Sequence, residues 1–352
     1  MTDGDSIPWV EKYRPTTLSE VVGNSDTLGK LKLLAAEGNI PNMLLCGPPG
    51  TGKTTSMLCL AADLLKNNSQ LDDPTNRDLL KEAVLELNAS DDRGLDVVRE
   101  KIKLFAQTKK TLPAQAGGDG ASPRQLHKIA ILDEADSMTA AAQQALRRTM
   151  ELHSNTTRFA FACNSSNKII EPIQSRCAII RFKKLDNAEV LRKVISILKS
   201  EGIMNDGGEN HYTEDGLEAV LYLAEGDLRY AINTLQATWV GYGFISADNV
   251  FKVCDQPHPV VVESVLVSAI QKKNIKEAHT ELQRLLHRGY APSDLTGTFF
   301  RVAQQNTKLY RTELHQIEVL RVIGETTMRM AEGVGSPLQL AAMLARIVEI
   351  VD

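Results

Sequence analysis

The stretch GPPGTGKTT, Gly47 to Thr55, decides the reading of this chain. It follows the apolar run Met43 to Cys46 and leads into the apolar-periodic run Thr54 to Leu65, so it reads as a turn between a strand and a helix. The spacing matches G-x-x-x-x-G-K-[ST] in the strand-to-helix context that gives the pattern its meaning. Gly50 and Gly52 let successive backbone N–H groups turn toward phosphate oxygens, and the helix N-terminus adds partial positive charge. In such a cradle Pro48, Pro49, Gly50, Thr51, Gly52 and Thr55 surround the phosphates of ATP. Lys53 reaches the β- and γ-phosphates, and Thr54 ligates Mg²⁺. The alternative is a coincidental glycine turn, which leaves the Lys-Thr-Thr in phase with a following helix unexplained.

Working outward, short apolar runs alternate with helical stretches. Strands are expected at Met43 to Cys46, Val84 to Asn88, Lys128 to Leu132, Arg158 to Cys163 and Ala178 to Phe182. Helices are expected at Thr54 to Leu65, Val97 to Phe105 and Ala140 to Leu152. Alternation of this kind predicts an α/β module, a parallel sheet with helices on both faces. Beyond Lys183 the strand signals stop. Ala188 to Ser200, Glu214 to Glu225 and Leu228 to Thr238 carry apolar residues at helical spacing, and from Ala247 onward the pattern is helical again, broken at Pro257, Pro259, Pro292 and Pro337. Asn67 to Arg77 and Thr111 to Gln125 read as surface loops; AQAGGDGAS in the second has too few large apolar residues to build core.

The partner motif is KIAILDEADS, Lys128 to Ser137. The apolar run delivers Asp133 to the carboxyl end of a strand, where open α/β sheets bind ligands. Asp133 there holds Mg²⁺ through its water shell, and Glu134 polarises the attacking water; a solvated acidic helix cap is the competing reading. Asn164 follows the next strand, either as a turn asparagine or with its amide near the γ-phosphate. Arg176, within Ser175-Arg176-Cys177, and Arg229, after Gly226 and Asp227, each have two readings. One is a surface ion pair, the other a guanidinium that stabilises a phosphoryl group in transfer.

Composition narrows the class. With 352 residues, 43% of them hydrophobic and 24% charged, the chain is long enough for two or three ordinary globular domains. No run of about eighteen apolar residues is present. The opening MTDGDSIPWVEKYRP is acidic where a signal peptide is basic, so the expectation is cytosol or nucleus. The five cysteines lack CxxC spacing, which argues against a zinc site or disulfide framework. A net charge of −4 argues against a uniformly basic nucleic-acid surface and leaves room for a local basic stripe.

Taken together, these residues resemble the small subunits of replication factor C, the eukaryotic sliding-clamp loader of the AAA+ class. The resemblance spans nearly the whole chain: PWVEKYRP, VVGN at Val21 to Asn24, LELNASDDRG, ILDEADSMT, QQALRRTME, the run Ala162 to Cys177, and GDLRYAIN. Within the family one paralogue is resembled most, on PWVEKYRP, the NKIIEPIQSRC run and VFKVCDQPHP. The resemblance implies an AAA+ nucleotide-binding domain over 1–183, a small helical lid over 184–250 and an all-α collar over 251–352 that holds five different subunits in a ring. It implies that Val10, Tyr13, Arg14, Val22 and Gly23 form the adenine and ribose side of the pocket. Asn164 corresponds to the family's first sensor and Arg229 to its second. Arg176 corresponds to the arginine of the SRC motif, which reaches into the ATP site of the adjacent subunit.

The resemblance further implies work in the nucleus on PCNA and primer-template DNA, in replication and repair. Arg93, Arg99 and Lys168 match positions from which family members contact template phosphates, giving shape recognition without base readout. The helix through Ile102 and Phe105 matches a clamp-docking element. The loop Gln115 to Gln125 departs from the family pattern by its length. Two other functions compete: a ring subunit that binds nucleotide without hydrolysing it, which the intact Glu134 disfavours, and a subunit of another AAA+ DNA-remodelling machine, which the SRC motif and helical collar disfavour.

Overall fold

A computed structural model describes residues 7–38, 40–68, 83–89, 95–107, 127–204 and 210–350. Its centre is a five-stranded parallel sheet of β1 (Met43–Cys46), β2 (Val84–Asn88), β3 (Lys128–Asp133), β4 (Thr157–Cys163) and β5 (Ala178–Arg181), in the order β2-β3-β4-β1-β5. β1, β3 and β4 are near-continuous apolar runs because both their faces are covered, as parallel strands require.

Residue parity divides the core into two layers. Met43, Leu45, Ile129, Ile131, Ala160 and Ala162 face the helices Ser25–Glu37 and Lys53–Asn68, which bury Leu28, Leu31, Met57, Leu60 and Leu64 against them. The intervening Leu44, Cys46, Ala130, Leu132, Phe159, Phe161 and Cys163 face the opposite way. Leu87 joins them, with Ile102 and Ala106 of helix Leu95–Gln107 and Leu146 and Met150 of helix Ala140–Leu152. Thr139 starts the last of these helices by accepting from Ala142 N at 3.3 Å.

After β5 the chain turns helical. Helix Asn187–Ser200 opens on a capping box, Asp186 with Glu189, and buries Val190, Val194, Ile197 and Leu198. The chain divides into two compact units, Met1–Tyr212 with Val220–Gln236, and Thr213–Ala219 with Ala237–Asp352. Helices Glu214–Ala224 and Leu228–Tyr242 each contribute to both. The second unit is all-helical, and its core gathers Val262, Leu266, Leu282, Phe299, Ile323 and Leu344 from successive helices. The prolines that break the sequence pattern at 259, 292 and 337 open helices here, at the first turn where a missing N–H costs nothing. Among the described residues no helix is long and apolar enough to cross a membrane.

The expected elements differ from the observed ones mainly at their ends. Helix Lys53–Asn68 runs past Leu65 into the start of the expected loop, and β3 extends to Asp133. The remainder of that loop, and Thr111 to Gln125 with the long Gln115 to Gln125 segment, lie outside the described residues.

Candidate active site

The turn after β1 carries the first group of residues. Gly50 and Gly52 adopt left-handed backbone, φ 65° and 88°, which favours glycine. A Cβ on Gly50 would lie 1.7 Å from Asp227 Oδ1. Leu228 N donates to Gly50 O at 3.2 Å, and Asp227 Oδ1 accepts from Tyr230 N at 3.0 Å. The tip of the turn is therefore packed against the first turn of helix Leu228–Tyr242, the helix that carries Arg229. Thr51 Oγ1 donates to Pro48 O at 2.9 Å and stiffens the loop from within.

Lys53 is buried, and its ammonium donates to Gly47 O (2.8 Å), Pro48 O (2.7 Å) and Asn164 Oδ1 (3.1 Å). Burial holds its pKa below the ordinary lysine value; the carboxylate of Asp133 pulls the other way, and the charge of Arg229 adds to the depression. A cation so enclosed, beside a glycine-rich loop at a helix N-terminus, fits a polyphosphate.

The second group comes from β3. Asp133 ends the strand, and its Oδ2 accepts from Thr54 Oγ1 at 2.7 Å while Oδ1 accepts from Glu134 N at 2.8 Å. Glu134 takes left-handed backbone at φ 50°, ψ 38°, at a cost of about 1–2 kcal/mol for a non-glycine residue. Strain of this size persists where surrounding structure imposes it, as it does at many catalytic positions. The Glu134 carboxylate is exposed and has no hydrogen bond or ion pair among the described residues. A hydroxyl and a carboxylate in contact are a hard-oxygen pair suited to Mg²⁺, which needs few protein ligands when phosphate oxygens complete its shell.

A cavity of about 230 Å³ lies within the first unit over these groups. Pro49, Gly50, Thr51, Gly52, Lys53, Thr54, Thr55, Asp133, Glu134 and Asn164 line it, as do Val10, Tyr13, Arg14, Val22 and Arg229. Pro48 contributes its carbonyl rather than a wall. Gly23 lies outside the cavity: its φ is 81°, and a Cβ there would meet Leu185 Cδ2 at 2.1 Å, so the glycine serves close packing. Sequence reasoning missed Val21, Asp136, Leu185, Lys193 and Ile232 in the lining. Val21, Asp136 and Ile232 stand inside quoted motifs, while Leu185 and Lys193 reach the site from segments not singled out for it.

Gln143 was also missed, although it stands in QQALRRTME. It is buried, donates to Met138 O (3.2 Å) and Lys168 O (3.0 Å), and accepts from Ile170 N at 2.8 Å. It fastens the turn that bears Lys168 to helix Ala140–Leu152. Lys168 itself is exposed, at the end of a short 3₁₀ turn after Asn164.

Arg176 lies outside this chain's own cavity. Its guanidinium pairs with Glu151 (2.8 Å) and donates to Pro172 O (2.7 Å), and Glu151 also pairs with Arg147 at 3.1 Å. Arg93 lies outside the described residues, and of Arg99 only its place in helix Leu95–Gln107 is described. Ile102 is buried under the sheet, and Phe105 is partly buried against the same cluster. Leu104, on the same helix, is an exposed large apolar residue.

Residues 43–185 match the family model described as ATPase family associated with various cellular activities (AAA), and residues 257–346 match the replication factor C C-terminal domain. Replication factor C subunit 4 of Saccharomyces cerevisiae is 50% identical over 341 residues, covering 97% of this chain and 95% of its own length. Replication factor C subunit 2 of Arabidopsis thaliana is 48% identical over 345 residues, covering 98% and 94%. The replication factor C small subunit of the archaeon Archaeoglobus fulgidus is 39% identical over 338 residues, covering 96% of each. Among solved structures, a Thermotoga maritima RuvB variant superposes with a TM-score of 0.50 at 16% identity, over 77% of this chain and 85% of that one. At that identity the likeness is one of fold.

Proposed function

As the chain belongs to the replication factor C small subunits, AAA+ ATPases that work within a multi-subunit clamp loader, we propose that its ATP cycle opens the sliding clamp PCNA and loads it onto primer-template DNA, in replication and repair, in the nucleus. Within the family it is the counterpart of the paralogue numbered 2 in animals. The observation that carries the reading is one junction: Thr54 against Asp133, with Lys53 beside Asn164, in a chain half identical to a replication factor C subunit.

The residues divide the chemistry among them. Backbone N–H groups from Gly50 to Thr55 hold the phosphates, and Lys53 turns its ammonium from loop carbonyls to the β- and γ-phosphate oxygens. Thr54, and Asp133 through water, would hold Mg²⁺, which would neutralise charge on those oxygens. Glu134 accepts the proton of the attacking water at its free carboxylate, and the Asn164 amide orients that water. Arg229 answers the γ-phosphate from the same chain. Arg176 serves the neighbour's pocket, which accounts for its position outside its own. Val10, Tyr13, Arg14 and Val22 take the adenine and ribose.

Residues 1–183 are the nucleotide-binding domain, 184–250 the lid and 251–352 the collar by which the chain joins the other replication factor C subunits in a hetero-pentamer. Lys168, with Arg93 and Arg99, meets template phosphates, and this meeting aligns neighbouring sites for hydrolysis. Hydrolysis then releases the closed clamp, so the energy of ATP drives assembly rather than covalent change in DNA. The test is a reconstituted complex carrying Glu134→Gln in this subunit. Nucleotide binding is expected to persist while this pocket's turnover and its share of clamp loading are lost; unchanged turnover refutes the assignment.

A further inference from the structure

The segment from Pro8 to Pro15 supplies one wall of the cavity, through Val10, Glu11, Tyr13 and Arg14. Its helical portion, Trp9–Lys12, is a single turn, too short to hold its shape without outside anchors. Its far end is tied to the P-loop helix: Cys59 Sγ donates to Pro15 O at 3.3 Å, and Leu18 N donates to Asp63 Oδ2 at 3.1 Å. Its near end is tied elsewhere. Trp9 N donates to Gln236 Oε1 at 3.0 Å, and the Trp9 ring is buried. Lys12 Nζ and Tyr13 Oη both donate to one oxygen of Glu201, at 2.6 and 2.5 Å.

Glu201 breaks a local rule. It caps the C-terminus of helix Asn187–Ser200, its N–H bonded to Ile197 O at 2.9 Å. Helix C-termini carry partial negative charge and favour cations, so a carboxylate there is disfavoured by the helix itself. A residue that violates a local preference points to a compensating gain elsewhere, and the compensation here is the ammonium of Lys12 and the phenol of Tyr13. The Glu201 side chain is 18% exposed against 38% for Lys12, which strengthens the pairing relative to a fully solvated one. Burial pushes its carboxyl up, but the two donors outweigh burial and hold it below the usual carboxylate range.

We propose that Glu201 is a positioning residue for nucleotide: by gripping Lys12 and Tyr13 it holds the N-terminal wall against the base and ribose, and so couples occupancy of the base end to the helical part of the ATPase unit. This rests on the reading of Val10, Tyr13, Arg14 and Val22 as the base-and-ribose side. Glu201 is not among the residues that line the cavity, so its loss acts on affinity and not on the chemical step. It also acts on ligands that carry a nucleoside, because the contacts that hold the phosphate cradle, Thr54 on Asp133, Lys53 on Asn164 and Leu228 N on Gly50 O, do not involve Glu201.

The experiment uses the assembled complex with every other subunit's P-loop lysine substituted, leaving this pocket alone active. Glu201→Ala is expected to raise KM for ATP roughly tenfold, the equivalent of one charge-assisted hydrogen bond, with kcat unchanged. Affinity for inorganic tripolyphosphate, a probe with no base, is expected to stay at the wild-type value. Glu201→Gln keeps an acceptor for Tyr13 and loses the charge facing Lys12, so it should fall between wild type and alanine. A merely structural role predicts that ATP and tripolyphosphate weaken together, and that outcome overturns the proposal, as does an unchanged KM. Val22→Trp, which fills the base end, separates the inference from the reading beneath it. If Val22→Trp loses ATP and Glu201→Ala does not, the positioning role alone is wrong; if Val22→Trp binds ATP normally, the base-side assignment is wrong.

Discussion

Thr54 Oγ1 donates to Asp133 Oδ2 across 2.7 Å, so the first turn of the P-loop helix is fastened to the end of β3. The two side chains assigned to magnesium are thus in contact. Thr54→Val keeps the shape and removes the hydroxyl. Groups one step removed from a metal cost roughly 10- to 100-fold in affinity when removed, so a direct ligand should cost at least that. A magnesium titration of ATP turnover checks it; a half-maximal concentration equal to wild type removes Thr54 from the coordination shell.

Lys53→Ala and Glu134→Gln should fail differently. Losing the ammonium removes at least about 3 kcal/mol of charge-assisted bonding, roughly a hundredfold in ATP affinity. The amide at 134 leaves the cradle intact and cannot take a proton from water, so binding persists and turnover falls. Equilibrium binding of labelled nucleotide separates the two. Wild-type affinity in the Lys53 variant contradicts the P-loop assignment.

Gly50→Ala places a Cβ where Asp227 Oδ1 lies and forces left-handed backbone on alanine, which costs about 1–2 kcal/mol for the backbone alone. Gly29, in helix Ser25–Glu37, has nothing within 4 Å of an added Cβ and ordinary φ. Gly29→Ala should therefore stabilise the chain by about 0.5–1 kcal/mol, while Gly50→Ala lowers both melting temperature and ATP affinity. Thermal melts of the two variants with and without nucleotide make the comparison, and equal shifts would remove the close packing against Asp227 from the account.

Much of this fold was legible because apolar runs are bounded by turn residues. β1, β2 and the helix Ala140–Leu152 fall where the pattern puts them, and the phosphate end of the site was carried by motifs that lie within single strand-to-helix turns. What was not legible comes from distant parts of the chain. Lys193 and Leu185 reach the cavity by packing, and Glu201 matters only because Lys12 and Tyr13 fold back onto it. The resemblance puts Gly23 on the nucleotide side; in the structure an added Cβ there would clash with Leu185. Ile102 and Phe105, three residues apart, share the face of their helix that meets the sheet, as the helical spacing implies.

Lys168, with Arg93 and Arg99, sets the salt dependence of DNA binding in this account. Reversing all three to Glu should weaken primer-template binding by the assembled complex similarly for every DNA sequence. It should also flatten the log-log salt slope by nearly one unit for each phosphate that is no longer neutralised. The readout is binding isotherms over a range of salt concentrations. An unchanged slope returns these residues to the solvated surface.

In the ring proposed above, this chain's pocket is completed by a neighbour and Arg176 completes the next one. Arg176 is held by Glu151 outside its own cavity, 37% exposed, and so is available to a phosphoryl group on another chain. An exposed pair of that kind is worth about 0–1 kcal/mol, whereas an arginine acting on a phosphoryl group in transfer is worth about 10³-fold or more in rate, so Glu151 yields it readily. The direct measurement is ATP turnover in complexes where all P-loop lysines but one are substituted. With only the neighbour's pocket active, Arg176→Ala should silence hydrolysis; with only this chain's pocket active, it should change little. The reverse pattern, loss in this chain's own pocket and none next door, would contradict the account.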